Sequence, residues 1–158
     1  MEKNSLKIAI IIHSKTGNTL SVAEMIKTKL IAQGHQASLE RVMAQNDEEP
    51  EAGKVILTNC PQTAGYDAYV FGAPVRGFGL SSVMKAFLAK AEGIDGKPVF
   101  GFMTQHFPFR WMGGNSAIKQ FIKALNNKSA LIKGTSIINW SNKKRQELIK
   151  QTVESIIF

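Results

Sequence analysis

Hydrophobic and polar positions along the chain switch between two periods, and the switches delimit the elements. Leu6 to Ile12 is an unbroken, β-branched run, the pattern of a strand buried on both faces. From Gly17 to Ile31 the apolar residues Leu20, Val22, Ala23, Ile26, Leu30 and Ile31 recur at helical spacing, and Gly34 ends the pattern. Ala37 to Val42 alternates as a second strand, and Asn46 to Glu51, with four acids and a proline, reads as a surface loop. Lys54 to Thr58 is a short extended segment with no assigned place in the main sheet. Tyr66 to Gly72 is a third core strand, Lys97 to Thr104 a fourth and Thr135 to Trp140 a fifth. Helical spacing returns over Ser81 to Ala91, Gly113 to Leu125 and Ser141 to Ile157, the last with Ser141 or Asn142 as its cap. Strands alternating with helices specify an α/β chain with right-handed crossovers and a parallel sheet covered on both faces. Such sheets bind ligands at the carboxyl ends of their strands, where the strand order reverses.

Composition narrows the setting. At 158 residues the chain is long enough for one domain, 1–158, with a full core. Its one cysteine, Cys60, excludes an internal disulfide framework and a Cys-x-x-Cys centre, which points to a reducing, cytoplasmic setting. Lys3 and Lys7 precede an apolar run, Ile8 to Ile12, too short for a signal segment or a membrane span, so no membrane insertion is expected. The formal charge is +8, and the excess lies beyond residue 79: residues 80–158 hold twelve Lys/Arg against four Asp/Glu, whereas residues 1–79 hold eight of each. That imbalance raises encounter rates with anions. Lys143-Lys144-Arg145 has no interleaved aromatics, so it reads as a solvated helix start and no nucleic-acid partner is expected.

The candidate chemistry sits between the first strand and the first helix. His13-Ser14-Lys15-Thr16-Gly17-Asn18-Thr19 gathers three hydroxyls, an amide and a glycine at a helix N-terminus, where unpaired N–H groups and the helix dipole favour an anion. A phosphate monoester suits this set. The segment has neither the G-x-G-x-x-G pattern of a dinucleotide fold nor a Walker A ending, which excludes NAD held in the Rossmann manner and ATP hydrolysis. No metal-ligand set is read, and the acidic pair and acceptor aspartate of a phosphorelay receiver are replaced by His13-Ser14 and Ala73-Pro74.

Three segments carry a family resemblance. Ser14-x-Thr16-Gly17-Asn18-Thr19 resembles the phosphate loop of the flavodoxin-like FMN-binding proteins. Asp67 to Val75 resembles their third strand and the start of the first flavin loop, and Phe100 to Asn115, ending Trp111-Met112-Gly113-Gly114-Asn115, resembles the second flavin loop of the WrbA-like NAD(P)H:quinone reductases. The resemblance spans the whole chain. It implies a three-layer α/β/α flavodoxin-like fold with a five-stranded parallel sheet of order 2-1-3-4-5, and FMN at the switch between the first and third strands. It assigns the phosphate to Ser14, Lys15, Thr16, Gly17, Asn18 and Thr19. The flavin ring would lie against Pro74, Val75, Arg76, Gly77, Phe78 and Gly79 on one side, and Thr104, Gln105, His106, Phe109, Trp111, Gly113 and Gly114 on the other.

Function within that family stays open at this point. The cofactor would perform the electron chemistry, so no catalytic side chain is assigned. A basic chain of pI ≈ 9.7 departs from the acidic flavodoxins, and Arg76 and Phe78 stand where those stack a Tyr or Trp. A cation at Arg76 would favour an anionic reduced flavin, which suits an FMN-dependent oxidoreductase using NAD(P)H and a quinone or other small acceptor. The alternatives are a one-electron carrier serving a redox partner protein, and a non-redox anion-binding module on the same fold. His106 is a candidate donor to a flavin carbonyl or substrate; His13 reads as a strand-end cap, His35 as exposed, and Cys60 as a packed or partly exposed thiol. The oligomeric state is not legible.

Overall fold

The computed structural model describes residues 4–158, so Lys3 lies outside the described residues. Its organising element is β1 (Lys7–Ile12), whose last five residues are all buried. Successive side chains of a strand point to opposite faces, and β1 uses both. Ile8, Ile10 and Ile12 enter one core with Val22, Ala23, Ile26 and Leu30 of helix α1 (Asn18–Ala32). Ala9 and Ile11 enter the other, an aromatic cluster on the opposite side of the sheet. Left-handed Gly34 follows the end of α1, as its position in the sequence implies.

Strand β2 (Gln36–Arg41) pairs with β1 in parallel, from Lys7↔Gln36 to Ile12↔Arg41. After it, β3 (Met43–Ala44) and β4 (Leu57–Asn59) form a separate antiparallel ribbon that brackets the acidic segment; of the stretch expected to be extended, Lys54 to Thr58, only Leu57 and Thr58 belong to a strand, and Lys54 ends a 3-10 turn, Ala52–Lys54. Strand β5 (Ala68–Arg76) lies on the other side of β1, in register Ile8↔Ala68 to Ile12↔Gly72. It runs four residues past the expected end at Gly72. Pro74, which lacks an N–H, falls where β1 has already ended, so no ladder bond to β1 is lost. The stretch expected as a flavin loop is a tight hairpin: β6 (Gly79–Leu80) returns antiparallel on β5, and Gly77 and Phe78 both have positive φ, 55° and 60°, as a type I′ turn requires.

Helix α2 (Ser82–Lys90) starts on a Ser81 cap that accepts from the Met84 N–H. Strand β7 (Pro98–Gln105) pairs with β5, helix α3 (Gly114–Asn126) follows, and β8 (Leu131–Asn139) closes the sheet beside β7. The main parallel order is β2-β1-β5-β7-β8, the five-strand order 2-1-3-4-5 that the resemblance implied. Besides the end of β5, two element starts are displaced by four residues from the sequence reading. β8 begins four residues early, at Leu131, because a register shift at Val99/Phe100 leaves Lys133 unpaired as a bulge, so the ladder continues through it and the alternation is interrupted there. Helix α4 (Arg145–Ser155) begins four residues late, because neither Ser141 nor Asn142 caps it. Asn142 Oδ1 instead accepts from the Lys144 N–H, and the Arg145 side chain lies over the Trp140 ring and donates to the Trp140 carbonyl, so these residues form a turn. Arg145 is thus engaged by the fold, contrary to a freely solvated cluster.

Helices α1 and α4 share a face of the sheet and are joined by Lys29, whose ammonium donates to the carbonyls of Val153 and Ile156, each at 2.7 Å. They lie at the C-terminal end of α4, where the Val153 carbonyl otherwise has only a long bond of 3.4 Å from the Ile156 N–H. Among the described residues no helix is long and apolar enough to cross a membrane. On the α2/α3 face Phe71 packs edge-on against Phe87 and Phe121 and stacks on Tyr69. Phe71→Ala should lower unfolding free energy by about 3–5 kcal/mol, read as a fall in urea midpoint with the m-value unchanged; a loss below about 1 kcal/mol would contradict this packing.

Candidate functional site

The loops beyond the carboxyl ends of β1, β5 and β7 converge on a cleft of about 210 Å³, lined by Lys15, Thr16, Asn18, Thr19, Pro74, Val75, Arg76, Thr104, Gln105, His106 and Trp140. Ten of these are sequence-derived candidates from three separate segments. Trp140 was not among them; it stands just past β8, and only the strand order makes it a neighbour of the first loop.

The anion-binding character of the first loop has a local cause. Gly17 caps α1 in the left-handed region, with φ 94°, and no side chain caps the helix. No atom lies within 4 Å of where a Gly17 Cβ would stand. Of the first-turn N–H groups only that of Leu20 meets a side-chain acceptor, Ser14 Oγ, and no acid in that turn serves those of Asn18 and Thr19. Ser14 is buried and its Oγ accepts from the Leu20 N–H, so it braces the loop. The Thr19 and Thr104 hydroxyls are 2.8 Å apart. One donates to the other, which leaves one O–H free to serve a ligand. Thr16 is exposed.

The second loop is held by buried amides. Gln105 Nε2 donates to the carbonyls of Phe109 and Met112 at 2.9 and 3.0 Å, and Asn139 Nδ2 donates to the Phe107 carbonyl at 3.0 Å. A Cβ on Gly113, whose φ is 114°, would stand 2.6 Å from Phe78 Cα, and one on Gly114 would stand 2.5 Å from Gln105 Oε1. Gly113 lets the two loops touch, and Gly114 lets the start of α3 close on Gln105. Above them Phe78, Phe109 and Trp111 form an open aromatic rim, 63%, 55% and 73% exposed, with Phe109 stacked on Trp111. Gly77 and Gly79 lie on a neighbouring cleft of about 650 Å³ beneath the acidic turn. His106 is exposed at the rim, Cys60 is exposed, and His35, expected to be exposed, is half-buried with its Nδ1 accepting from the Leu6 N–H.

His13 does more than end a strand. It is 1% exposed, with Nδ1 2.9 Å from Ser81 Oγ and Nε2 2.7 Å from Asp47 Oδ1. A carboxylate only accepts, so Nε2 carries the proton and Nδ1 accepts from the Ser81 hydroxyl. Asp47 Oδ2 lies 2.9 Å from Arg76 Nη1, which also donates to the Asp47 carbonyl at 2.8 Å. One carboxylate from a segment that sequence marked only as polar loop thus joins β1, the β5–β6 hairpin and the cap of α2. No periodicity signals this role; four acids near a basic loop were the available hint. Burial holds the His13 pKa below its ordinary 6.5, outweighing the opposite pull of Asp47. Burial alone would raise the Asp47 pKa, but the hydrogen bonds from His13 and Arg76 overcome this and hold it below 3.8.

No protein-family model matches the chain, and no curated protein sequence matches it. Solved structures do. The chain superposes on oxidised flavodoxin 2 from Bacillus cereus with a TM-score of 0.65 at 21% identity, covering 94% of this chain and 96% of that one. The Trp repressor binding protein of Bacillus subtilis gives 0.68 at 15% identity, over 96% and 100%. A flavoprotein from Lactobacillus acidophilus NCFM, solved in complex with FMN, gives 0.61 at 17%, over 84% and 93%. The chain has the three-layer α/β/α flavodoxin-like fold.

The two shifted groups set the sign of the acid response. Below about pH 6.5 the unfolded chain takes up a proton at His13 that the folded chain resists, so stability falls; below about 3.8 Asp47 adds a second loss in the same direction. Urea midpoints should therefore be level between pH 7.5 and 6.5 and decline below that, and His13→Gln should flatten the first decline. An identical pH slope in both proteins would show that His13 does not titrate against the fold.

Proposed function

We propose that the chain binds FMN across this cleft and works in cytoplasmic electron transfer, as an FMN-dependent oxidoreductase that takes electrons from NAD(P)H and delivers them to a quinone or another small acceptor. The observation that carries the cofactor assignment is the uncapped start of α1, opened by left-handed Gly17 and flanked by Thr16, Asn18, Lys15 and one free threonine hydroxyl. These donors match a terminal phosphate. The cleft, at about 210 Å³, is below the ~300–1,000 Å³ of sites that enclose a drug-sized ligand. It suits the phosphate and sugar-alcohol chain, with the ring resting at the rim near Phe78 and Trp111. FMN would supply the redox chemistry; Thr16 and the α1 amides would anchor it, and the β5–β6 hairpin and the loop after β7 would orient it. An open rim favours access by small acceptors.

Thr16→Ala removes one donor to a dianion, a charge-assisted bond of about 1.5–3 kcal/mol. FMN affinity should fall roughly ten- to hundredfold while riboflavin, which lacks the phosphate, changes little. Fluorescence titration with both ligands checks this, and equal weakening would mean that Thr16 acts through the fold. Recovery of stoichiometric FAD from purified protein would remove the FMN assignment.

One observation favours the one-electron carrier as a second reading. Arg76 already holds Asp47, so its charge is not free to favour an anionic reduced flavin as the sequence alone suggests. Arg76→Ala should lower the flavin midpoint potential and Asp47→Asn should raise it. Each shift should be on the order of tens of millivolts, given that ~59 mV is tenfold in a one-electron equilibrium. Spectroelectrochemical titration reads both; unchanged potentials would place this pair away from the ring. Steady NAD(P)H oxidation with quinone supports the reductase, and its absence together with two resolved one-electron steps supports the carrier.

A further inference from the structure

The cleft at the start of α1 holds two cations, Lys15 and Arg76, and both already have partners from one turn. Arg76 binds Asp47, and Lys15 pairs with the next residue, Glu48. Consecutive acids thus lie across the two positive charges that an incoming anion would use.

The turn is anchored independently of these pairs. Asn46 Oδ1 accepts from the Ile56 N–H and Asn46 Nδ2 donates to the Lys54 carbonyl, both at 2.8 Å. The Glu49 carbonyl accepts from the Ser82 hydroxyl, and Asp47 Oδ1 accepts from His13. Its acids therefore occupy defined positions. The two pairs differ in depth: side chains in the Arg76–Asp47 pair are 26% and 27% exposed, whereas those of Lys15 and Glu48 are 49% and 72% exposed. An exposed pair contributes little and breaks readily, while a partly buried pair that shares its carboxylate with a histidine does not.

We propose that Glu48 is an internal counter-anion which Lys15 exchanges for the phosphate of the bound ligand, while Asp47 keeps Arg76 out of that exchange. The inference rests on the FMN reading above and adds a specificity device to it. A phosphate monoester carries about −1.5 to −2 charge at neutral pH and outcompetes a single carboxylate for a long, mobile lysine. An uncharged ligand has no such claim and leaves Lys15 on Glu48. The acidic turn therefore sets how tightly a phosphate-bearing ligand is held, with no contact to the flavin ring required.

Glu48→Gln should tighten FMN binding about two- to fivefold at low ionic strength, with the gain fading at ~1 M salt and no change for riboflavin. The gain should disappear in a Lys15→Ala background, because the two residues act through one exchange. Inorganic phosphate, followed by the amide resonances of Gly17 to Thr19, should show the same ordering. An equal gain with and without Lys15 would mean that Glu48 merely repels the ligand from a distance and would overturn the exchange. Unchanged or weaker binding of both FMN and phosphate would overturn it as well, as would wild-type protein that binds neither. Tighter phosphate binding in a protein that takes up no FMN would keep the counter-anion and remove the FMN reading.

Discussion

β1 has no solvent-facing side after Lys7, and that constraint propagates through the architecture. A strand buried on both faces needs helices on both faces, and its backbone groups need partners along both edges. β2 supplies one edge and β5 the other, so the chain must leave β1, return on one side, and later cross to the opposite side. That crossing is the reversal of strand order. The loop leaving β1 is left beside a gap between diverging connections, with the amides of α1 exposed to it. Burial of five consecutive residues thereby positions the anion site, before any of its polar side chains is considered.

Polar organisation around the gap follows from the same burial. His13 is drawn under the sheet end by its place after β1, and its two ring nitrogens then need partners that the apolar core cannot give. Ser81 and Asp47 meet that need from opposite directions. Because Asp47 also receives Arg76, satisfying a buried imidazole fixes the geometry of the β5–β6 hairpin. Electrostatics and backbone topology are linked at this point through a single carboxylate.

The elements that sequence revealed are those whose signal is repetitive. β1, α1 and the α2 helix announce themselves by period, and the strand order followed from a resemblance anchored in short motifs. What escaped is set by isolated long-range pairings. Trp140 enters the cleft only through sheet order, and Gln105 and Asn139 secure the loop after β7 by bonds to carbonyls that leave no pattern. The start of α4 was misplaced because Ser141 and Asn142 are good turn and cap residues by type, and the contact of Arg145 with Trp140 accompanies the turn that they form instead. Asp47 sits in a stretch whose polarity is correct for a surface turn; its bond to a buried histidine thirty-four positions away has no local trace.

The grip of Lys29 on the end of α4 has a temporal side. As the chain leaves the ribosome, β1 and β2 can pair early, but the free edge of β1 stays open until Ala68 to Gly72 have been made, because those residues are its other neighbours. For that interval an isoleucine-rich strand is exposed to other nascent chains, a recognised aggregation hazard. Even after β5 docks, the layer over Ile8 and Ile10 is unfinished, because Ile149 and Ile156 belong to the same core and arrive last. The ammonium of Lys29 waits at the end of α1 for the carbonyls of Val153 and Ile156 and closes that layer when they appear. The helix that follows β1 and the helix that follows β8 are thus latched together only once Val153 to Ile156 have been made, so this face stays unsealed while all the sheet between them is built.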